Sequence, residues 1–522
     1  MIQPSSTIRL LKGVYLDSNY DDTYDCYNSP TEQRDIMASK TKHTLNNYTY
    51  QRVEKNKIRV ALSIEKVIDC NYMMFQNTEY ENKWFYAFIT NVDYINDTTT
   101  ELTYKIDVIQ TWFLFDCYVS KCFVEREHTA TDNIGDNLVP ENFELGDYVI
   151  HDAVTTRLCS ANVIVVASTF NEEYKDVVGS NYSNIFSGLY FNVFNTPAEA
   201  SEFIQGAGEK SSGIVSVFMM SRDFVTERLG GVKIYDFSVD KLLNNMFVEE
   251  DENGEETNTY IIRNKKLYTY PYNFLAVTNL QGTTAEYHYE YFNSDKCDFL
   301  VSGDMTPSPS VLCAPKLYKS DKWSVNYNEK ITLTNYPQCA YATDSYRQWL
   351  SQNFASLPLQ AISTGISYRN ATRSNNMINS YRARSIAQQS TKDSAYLSAA
   401  GMVAESVQHF VMPDQAHGAT GNTLNSALTI QDFAFMRVHI REEFARIIDG
   451  FFTKYGYAVN EFKVPNIKTR PYWNYLKTNG CEVHGDIPYL YIEEIKEVLN
   501  NGITFWHNDG TIGNYNLNNS PQ

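Results

Sequence analysis

The order of apolar and polar positions in residues 83–115 predicts a long antiparallel β-hairpin. The first strand begins with apolar side chains on both of its faces, namely Trp84, Phe85, Tyr86, Ala87, Phe88 and Ile89. A strand of this kind has a layer covering each face. From Thr90 onward the pattern is that of a half-exposed strand, and Asn96-Asp97 favours a turn. The alternating run 101–115 then predicts the second strand of the hairpin.

Shorter runs predict further strands through the middle of the chain. These strands are expected at 162–168, 213–219, 259–279, 284–292 and 298–302. By contrast, residues 126–160 are expected to be rich in loops. The acidic stretch 251–256 contains Asn253-Gly254, which favours a tight hairpin turn, and it lacks the ligand spacing of a calcium-binding loop.

Apolar stripes near the C-terminus predict two helices. The first stripe ends near Gly456 and consists of Val438, Ile440, Phe444, Ile447, Ile448, Phe451 and Phe452. The second contains Ile492, Ile495 and Leu499 and is followed by the cap Asn501-Gly502. Residues 503–506 then predict a short strand. Taken together, the elements predict a mainly β chain with minor α, an α+β fold.

The segment 347–412 differs from the rest of the chain in its charge. It carries six basic residues against Asp393 and Glu405, a net charge of +4, whereas the whole chain carries -18. Apolar residues at helical spacing within 375–409 predict one or two amphipathic helices. The flank 415–425, rich in Gly, Thr and Asn, predicts a flexible return.

Three interpretations of this basic segment stay open at the level of sequence. It could present an ordinary polar helix face to solvent. Its arginines could contact DNA phosphates, or a basic amphipathic helix could lie at a lipid surface. The most apolar piece, 395–404, is too short to span a bilayer, which takes ~20 residues.

Composition favours a large β-rich protein that makes protein–protein contacts. The 522 residues allow two to four domains, and 14% of them are aromatic, with 39 Tyr and 28 Phe. Tyr and Phe favour strands, and Tyr is common at interfaces. The excess of 62 acidic over 44 basic residues opposes tight non-specific binding to DNA.

The cysteines predict free thiols. There are nine, an odd number, and no Cys-x-x-Cys pair occurs. Cys117 and Cys122 lie in a strand-like run, five positions apart, and are therefore expected on opposite faces. A zinc site or a disulfide framework is not expected. The N-terminus lacks a long apolar stretch, so we expect synthesis in a cytoplasm without a signal peptide.

No arrangement of residues predicts a catalytic, cofactor-binding or metal site. The nine histidines match no metalloprotease motif, and no nucleophile elbow or phosphate-binding glycine loop occurs. The cluster 125–128 (EREH) is interpreted as a salt-bridge group at the end of a strand. His484-Gly485-Asp486 is interpreted as a turn with a hydrogen-bonded histidine. Paired carboxylates for glycan hydrolysis remain an alternative, because they can come from distant positions.

Several blocks of the sequence resemble the distal tail knob protein of small short-tailed phages of Gram-positive bacteria, the phi29-like phages. The resemblance is strongest over 68–128 and 440–516 and covers little of 130–260. The blocks that carry it are 71–88 (NYMMFQNTEYENKWFYAF), 106–112 (IDVIQTW), 125–128, 270–282, 451–457 (FFTKYGY), 463–470 (KVPNIKTR), 485–487, 501–507 (NGITFWH) and 512–515.

This resemblance implies a structural virion protein at the distal end of the tail, not an enzyme. It implies a homohexamer whose β-rich domains close into a tube, joined to the lower collar or connector protein, with duplex DNA passing non-specifically through the lumen. The strands that are apolar on both faces would then be covered by a layer on one side and by neighbouring subunits on the other. In such proteins a long internal loop fills the lumen and, on ejection, enters the host membrane.

By position, 347–425 is the counterpart of that loop. It is basic and polar, whereas the best-known loop of the family is rich in Gly, Ala and Met. The residues expected to plug the lumen or to face DNA or membrane are Arg369, Arg373, Arg382, Arg384, Lys392, Tyr396, Leu397, Met402 and Val403. Two alternative functions are a tail-associated cell-wall hydrolase and a module that binds a receptor on the host surface.

The resemblance also suggests a division of the chain into four parts. Residues 1–130 would form the N-terminal part of a β tube domain, and 131–345 a second β-rich domain. Residues 346–430 would form the inserted segment inside the lumen. Residues 431–522 would form an α+β part that packs back on the tube domain.

Overall fold

A computed structural model gives the fold of most of the chain outside the basic segment. It describes residues 6–48, 56–77, 83–156, 158, 162–176, 180–182, 185–225, 231–250, 256–279, 282–306, 309–319, 324–333, 338–339 and 432–521. The described residues are mainly β-strand with fewer helices, so the predicted fold class is confirmed at that level. They divide into two compact units.

The first unit combines residues 1–144, 262–266 and 446–522. Its helices are α1 (Pro30–Ser39), α2 (Ile64–Val67), α3 (Leu114–Asp116), most of α5 (Glu442–Tyr455) and α6 (Tyr489–Asn501), with a π-helical turn at Ile109–Phe113. Its strands are β1 (Ser6–Leu11), β2 (Asp22–Tyr24), β3 (Thr41–Tyr48), β4 (Lys57–Val60), β5 (Tyr72–Asn77), β6 (Trp84–Asn96), β7 (Thr99–Ile106), β8 (Cys117–Val119), β9 (Cys122–Glu127), β26 (Tyr457–Lys463), β27 (Trp473–Asn479), β28 (Val483–Gly485) and β29 (Ile503–Trp506).

Two larger sheets organise this first unit. Strands β3-β1-β5-β6-β7-β4 form a six-stranded antiparallel sheet. Strands β2-β29-β27-β9-β26 form a five-stranded sheet that combines two strands from residues 1–144 with three from residues 446–522, and β28 pairs with β8. The two termini therefore fold together.

The predicted hairpin is confirmed as the β6–β7 pair, and both faces of β6 are covered. Tyr86 and Phe88 belong to a core with residues of α1, α6 and β29. Ala87 faces a second core that contains Ile8, Val60 and other residues of the same sheet. The expectation that neighbouring subunits cover one face is wrong for this part of β6, because the chain's own residues bury both faces.

The second half of the predicted strand 101–115 is helical instead. Strand β7 ends at Ile106, and the chain enters the π-helical turn and α3. The cause is Asp107, whose side chain accepts hydrogen bonds from the backbone N–H groups of Ile109 (3.1 Å) and Gln110 (3.0 Å). An acceptor placed in this way caps a helix start and competes with strand pairing.

The expected placement of Cys117 and Cys122 on one strand is also wrong. Cys117 begins β8, and Cys122 begins β9 after a bend, so the two residues lie in different sheets. The described cysteines whose thiols are free are Cys26, Cys70, Cys117, Cys122, Cys297, Cys313 and Cys481. Burial raises the thiol pKa of Cys26, Cys117 and Cys122 to about 11.

The second unit combines residues 145–261 and 267–445. Its described residues include helix α4 (Pro197–Gly206), the first turn of α5 and short 3-10 turns such as Tyr289–Tyr291. Its strands are β10 (Tyr148–Thr155), β11 (Asn162–Ser168), β12 (Ser180–Tyr182), β13 (Ile185–Ser187), β14 (Tyr190–Phe194), β15 (Ile214–Ser221), β16 (Gly231–Asp240), β17 (Phe247–Glu250), β18 (Glu256–Tyr260), β19 (Asn273–Thr278), β20 (Thr284–Tyr287), β21 (Lys296–Met305), β22 (Ser310–Pro315), β23 (Ile331–Leu333), β24 (Gln338–Cys339) and β25 (Ala434–Ile440).

Three four-stranded sheets organise the described part of this second unit. Their strand orders are β10-β25-β19-β20, β14-β11-β15-β24 and β16-β21-β22-β23. Strands β17 and β18 form a separate hairpin, which confirms the hairpin predicted around 251–256, although its tip lies outside the described residues. Helix α4 packs Phe203 and Ile204 into a core with β11 and β15.

Most predicted strands of the middle region are confirmed, with three corrections. Strand β11 has the predicted bounds, and β15 and β21 lie where strands were expected. However, the region predicted as loops contains β10, and residues 289–291 form a 3-10 turn rather than a strand. Within 259–279, the predicted strand is interrupted, since the chain turns between β18 and β19.

The C-terminal predictions are confirmed with one change of boundary. Helix α5 begins at Glu442, so Val438 and Ile440 lie in β25, a buried central strand whose apolar run resembles a helical stripe. Helix α5 ends before Gly456, which has a φ of +64°. Helix α6 ends at the predicted Asn501-Gly502 cap, and β29 has the predicted bounds.

The basic segment lies outside the described residues. Consequently, the nine residues proposed to plug the lumen have no structural description. Among the described helices, none has the length and apolar character needed to cross a membrane. The four-part division of the chain stays a prediction.

Candidate functional site

The densest group of ionisable side chains in the first unit lies at the end of β9, where the sequence reads EREH. Strand β9 pairs with β27 on one side and with β26 on the other. Residues 125–128 therefore lie between two strands that come from the far end of the chain. The predicted strand-end salt-bridge group is confirmed, and Glu125, Arg126 and Glu127 each have an oppositely charged partner.

Glu127 is a buried carboxylate that joins β9 to the segment 463–470. It accepts hydrogen bonds from the ammonium of Lys463 and from the backbone and side-chain nitrogens of Asn466, at 2.8 and 2.7 Å. Burial raises the pKa of Glu127, and the hydrogen bond from Lys463 opposes that shift. Three donors directed at one carboxylate hold the two segments in register.

A second buried carboxylate, Glu141, receives two cations. Arg126 donates to one of its oxygens, and the Lys266 ammonium and the Ala458 backbone N–H lie 2.8 Å from the other. The side chains of Glu141 and Lys266 are only 2% and 3% exposed. Burial lowers the pKa of Lys266, and Glu141 counteracts this shift. This arrangement is a fixed charge network, because each buried charge depends on its partner.

His128 is a neutral structural residue rather than a proton-transfer group. Its Nδ1 accepts from the backbone N–H of Tyr475 at 2.8 Å, and its Nε2 donates to the Thr453 carbonyl at 3.3 Å. Burial, together with the nearby Arg470 charge, lowers the pKa of His128 to about 3. With both ring nitrogens occupied by backbone groups, the imidazole has no site left for a substrate proton.

The depressed pKa of His128 predicts a loss of stability in acid. Between about pH 6.5 and pH 3 the unfolded chain binds a proton at this histidine and the folded chain does not. The free energy of unfolding should therefore fall by about 2 kcal/mol between pH 7 and pH 5 because of this residue. Urea unfolding at both pH values should show this loss, and His128→Asn should remove it. An equal pH dependence in both proteins would contradict the assignment.

A polar pocket beside His128 is too small for a substrate. Its volume is about 40 Å³, which is room for one or two waters, and the C-terminal residues 517–520 line it. Arg470 also lines it and donates to the carbonyls of Thr129 (2.9 Å) and Asn519 (3.2 Å). The pocket thus belongs to the packing of the C-terminal segment.

The remaining candidate chemistry does not form a catalytic group. His484 lies in β28 rather than in a turn, and its ring stacks on Tyr118 with centroids 5.3 Å apart. His507 is hydrogen-bonded to Asn474 at 3.0 Å, and burial lowers its pKa. Within the described ranges, no group of three or more His, Cys, Asp or Glu could hold a metal ion.

The second unit has an unusual sheet edge that sequence analysis missed. Among the strands that the structure describes, β10 ends its sheet and pairs with β25 alone. Large apolar side chains on this strand are exposed, with Ile150 at 51%; the set is Tyr148, Val149, Ile150 and Val154. The consecutive apolar residues 148–150 were the available signal, but they stand inside a loop-rich stretch.

Asp152 fixes this edge strand to the sheet. Its carboxylate receives two hydrogen bonds from the guanidinium of Arg437 on β25. Asp152 and Arg437 lie opposite each other, next to a β-bulge between Ile150 and Asp152. The ion pair therefore holds β10 to its neighbour β25, while several apolar side chains of β10 are exposed.

The family model of the C-terminal domain of tail knob protein gp9 of Bacillus phage phi29 matches residues 238–520, more than half of the chain. The chain belongs to the tail knob protein family. A second family model, the N-terminus of the caudoviral major tail protein, matches residues 4–116, which include all of the six-stranded sheet.

Other tail knob proteins align over nearly the whole chain. The chain is 24% identical to tail knob protein gp9 of Bacillus phage phi29 and 25% identical to that of Bacillus phage PZA, with 98% of each chain covered. The structure of the tail knob protein gp12 of bacteriophage C1 superimposes with a TM-score of 0.63 at 14% identity, over 99% of this chain and 100% of that one. The resemblance inferred from the sequence blocks is confirmed.

The buried ion pairs of the first unit join residues inside the matched range 238–520 to residues before it. Lys266 and Lys463 lie inside the matched C-terminal domain, whereas their carboxylate partners Glu141 and Glu127 come from before it. The network therefore ties the matched domain to preceding residues of the same unit. This is a structural role, as expected of a protein that forms part of a phage tail.

Proposed function

We propose that this tail protein assembles as a hollow homohexamer at the distal end of the tail and conducts the genome during ejection. The observation that carries the proposal is the alignment with named tail knob proteins over 98% of the chain. In this proposal the upper end of the ring joins the lower collar or connector protein, and duplex DNA passes through the bore.

The edge strand β10 supports self-assembly. Natural proteins protect exposed sheet edges with charges, prolines or covering elements, whereas β10, the terminal strand of its sheet among the described residues, exposes apolar side chains. A second copy placed against this edge would bury the side chains and pair the backbone. Repeating the contact around a ring would leave no such edge open, as in closed β-architectures.

The charge of the chain supports passage of DNA without retention. Each copy carries a formal charge of -18, and six copies in a ring would surround the bore with an acidic protein. Such a wall repels the phosphate backbone at short range. We therefore propose that Asp and Glu side chains line the bore.

We propose that 347–425 fills the lumen before infection and leaves it on ejection. The support is its position in the chain and its net positive charge, which complements both DNA and an acidic wall. The residues proposed to face DNA, wall or host membrane are Arg369, Arg373, Arg382, Arg384, Lys392, Tyr396, Leu397, Met402 and Val403. Density for this segment that is identical in full and emptied virions would exclude the proposed gating.

Light scattering coupled to size-exclusion chromatography tests the assembly itself. One chain has a mass of 60.0 kDa, so a hexamer should have a mass of about 360 kDa, six times that value. A particle of that mass with a central hole in negative-stain images would support the ring. A monomer at micromolar concentration and above would contradict it.

Replacing Ile150 by lysine should weaken the assembly without unfolding the chain. The exposed half of this isoleucine contributes little to the fold, but its burial against a second copy is worth about 0.8–1.5 kcal/mol, or roughly 4- to 12-fold in the affinity of each contact. Light scattering of the Ile150→Lys protein should show a shift toward smaller species. The matched control is Ile261→Lys, a residue of the same unit that is 74% exposed and lies outside the strands.

The control protein should assemble like the wild type. The free energy of unfolding of both variants, measured in urea, should agree with that of the wild type within about 0.5 kcal/mol, as expected for surface substitutions. If Ile150→Lys assembles normally, β10 is not the contact, although another surface could still form the ring.

A further inference from the structure

The first unit contains a pocket of about 370 Å³ beside the start of β6, and nothing above assigns it a function. Its walls come from α1, from the adjacent ends of β5 and β6, and from the helical turns that follow β7. The volume is within the range of small-molecule sites. All of its lining residues belong to one compact unit.

Two aromatic side chains provide apolar surface in this pocket. Trp84 is half-buried, and Phe115 is 38% exposed. The guanidinium carbon of Arg9 lies 5.1 Å from the centroid of the Trp84 ring, a cation–π contact that holds the indole in place. Fixed aromatic rings bind flat apolar faces of a ligand at a low cost in conformational entropy.

The phenol group of Tyr86 adds a polar contact. Tyr86 lines the pocket and is 2% exposed, and its backbone groups bond to Thr111. Its hydroxyl is the polar end of an otherwise apolar side chain in the pocket wall. It can both donate to and accept from a ligand hydroxyl.

The charged groups of the pocket are already paired. Lys83 donates to the Asp116 carboxylate, and its ammonium also lies 3.9 Å from the centroid of Trp112. Arg34 donates to Asp35 at 2.8 Å. These paired charges leave no excess cation for a phosphate or a nucleotide, but their remaining donors and acceptors suit neutral hydroxyl groups.

Apolar rings next to neutral donors and acceptors match the two-sided chemistry of a sugar ring. A pyranose has C–H faces that pack on aromatic rings and hydroxyls around its edge that hydrogen-bond. We propose that this pocket binds a neutral sugar unit of a glycan chain. The proposal goes beyond the tail tube, because it gives each single copy a ligand and does not depend on the number of copies.

Titration of the purified full-length protein with neutral oligosaccharides tests the inference. The probes are the trisaccharides of glucose and of N-acetylglucosamine, with inorganic phosphate as the anionic comparison, and binding is measured by calorimetry. At least one trisaccharide should bind saturably, and phosphate should not. Trp84→Ala should weaken that binding at least tenfold, and Tyr86→Phe about threefold or more.

Two controls keep the result clear. Tyr94→Ala changes an aromatic residue that is 56% exposed on the same strand and outside the pocket, and it should leave binding unchanged. Tyr86→Phe removes a single oxygen, so it serves if Trp84→Ala does not fold. Failure of both trisaccharides to bind, binding of phosphate in their place, or full binding by the folded pocket variants would overturn the proposal. None of these outcomes bears on the hexameric ring, which light scattering measures separately.

Discussion

Replacing Glu141 by glutamine should destabilise the first unit by about 3–5 kcal/mol. The carboxylate balances Arg126 and Lys266, and the Lys266 ammonium also donates to the Val139 carbonyl at 2.7 Å. Glutamine keeps the size of the side chain but removes the buried negative charge that faces both cations. Urea unfolding followed by tryptophan fluorescence would measure the change at pH 7.

The matched control is Glu125→Gln in the neighbouring strand β9. Glu125 pairs with Lys477 at 2.8 Å, but both side chains are substantially exposed to solvent. An exposed pair contributes about 0–1 kcal/mol. The two substitutions remove the same charge, but Glu141 is buried between two cations whereas Glu125 faces one cation at the surface. Equal effects on the free energy of unfolding would show that the buried network is not what stabilises this unit.

Replacing Gly456 by alanine should destabilise the first unit by about 3–5 kcal/mol. Gly456 has a φ of +64°, and a Cβ atom there would lie 2.2 Å from the carbonyl oxygen of Glu127 and 2.7 Å from the backbone nitrogen of His128. These are backbone atoms at the end of β9, so they cannot rotate away. The substitution would displace the strand that carries the buried charge network. Urea unfolding would measure the fall in the free energy of unfolding, and far-ultraviolet circular dichroism would measure any loss of secondary structure.

The matched control Gly480→Ala measures the cost of backbone strain in the absence of a steric clash. Gly480 also has a φ of +64°, but a Cβ atom there meets nothing within 4 Å. Gly480→Ala should therefore lower the free energy of unfolding by only about 1–2 kcal/mol, the cost of the left-handed backbone conformation. If Gly456→Ala is no more destabilising than Gly480→Ala, the close approach of β9 to Gly456 has no energetic importance.

The parts of the fold that could be predicted are those with an unambiguous local pattern. The hairpin of β6 and β7 showed alternating positions around Asn96-Asp97, and helix α6 showed helical spacing with a Gly502 cap. In each case the local propensity agreed with the final packing. Such agreement between local and global preference is what makes a segment predictable.

The errors arose where a tertiary contact or a side-chain cap overrode the pattern. An apolar run predicted helix at 438–440, but pairing with both β10 and β19 makes this segment a central strand. The alternating residues 109–115 predicted a strand, but Asp107 caps a helical turn. Burial raises the pKa of Asp107 to about 6, which shows how deeply this cap is enclosed.

The charge network could be predicted only in part. The sequence EREH indicated salt bridges, because opposite charges alternate at the end of a strand. The partners Glu141 and Lys266 could not be identified, since they are brought to Arg126 by tertiary folding from separate segments. The pocket beside Trp84 was also missed, because its walls come from four elements and no local pattern marks them.

A cryo-electron microscopy reconstruction of the tail tip tests the central claim most directly. The account predicts six copies of this chain around the tail axis, with an open acidic bore wide enough for duplex DNA after ejection. A reconstruction that places the chain away from the axis, or in a solid assembly without a bore, would contradict it.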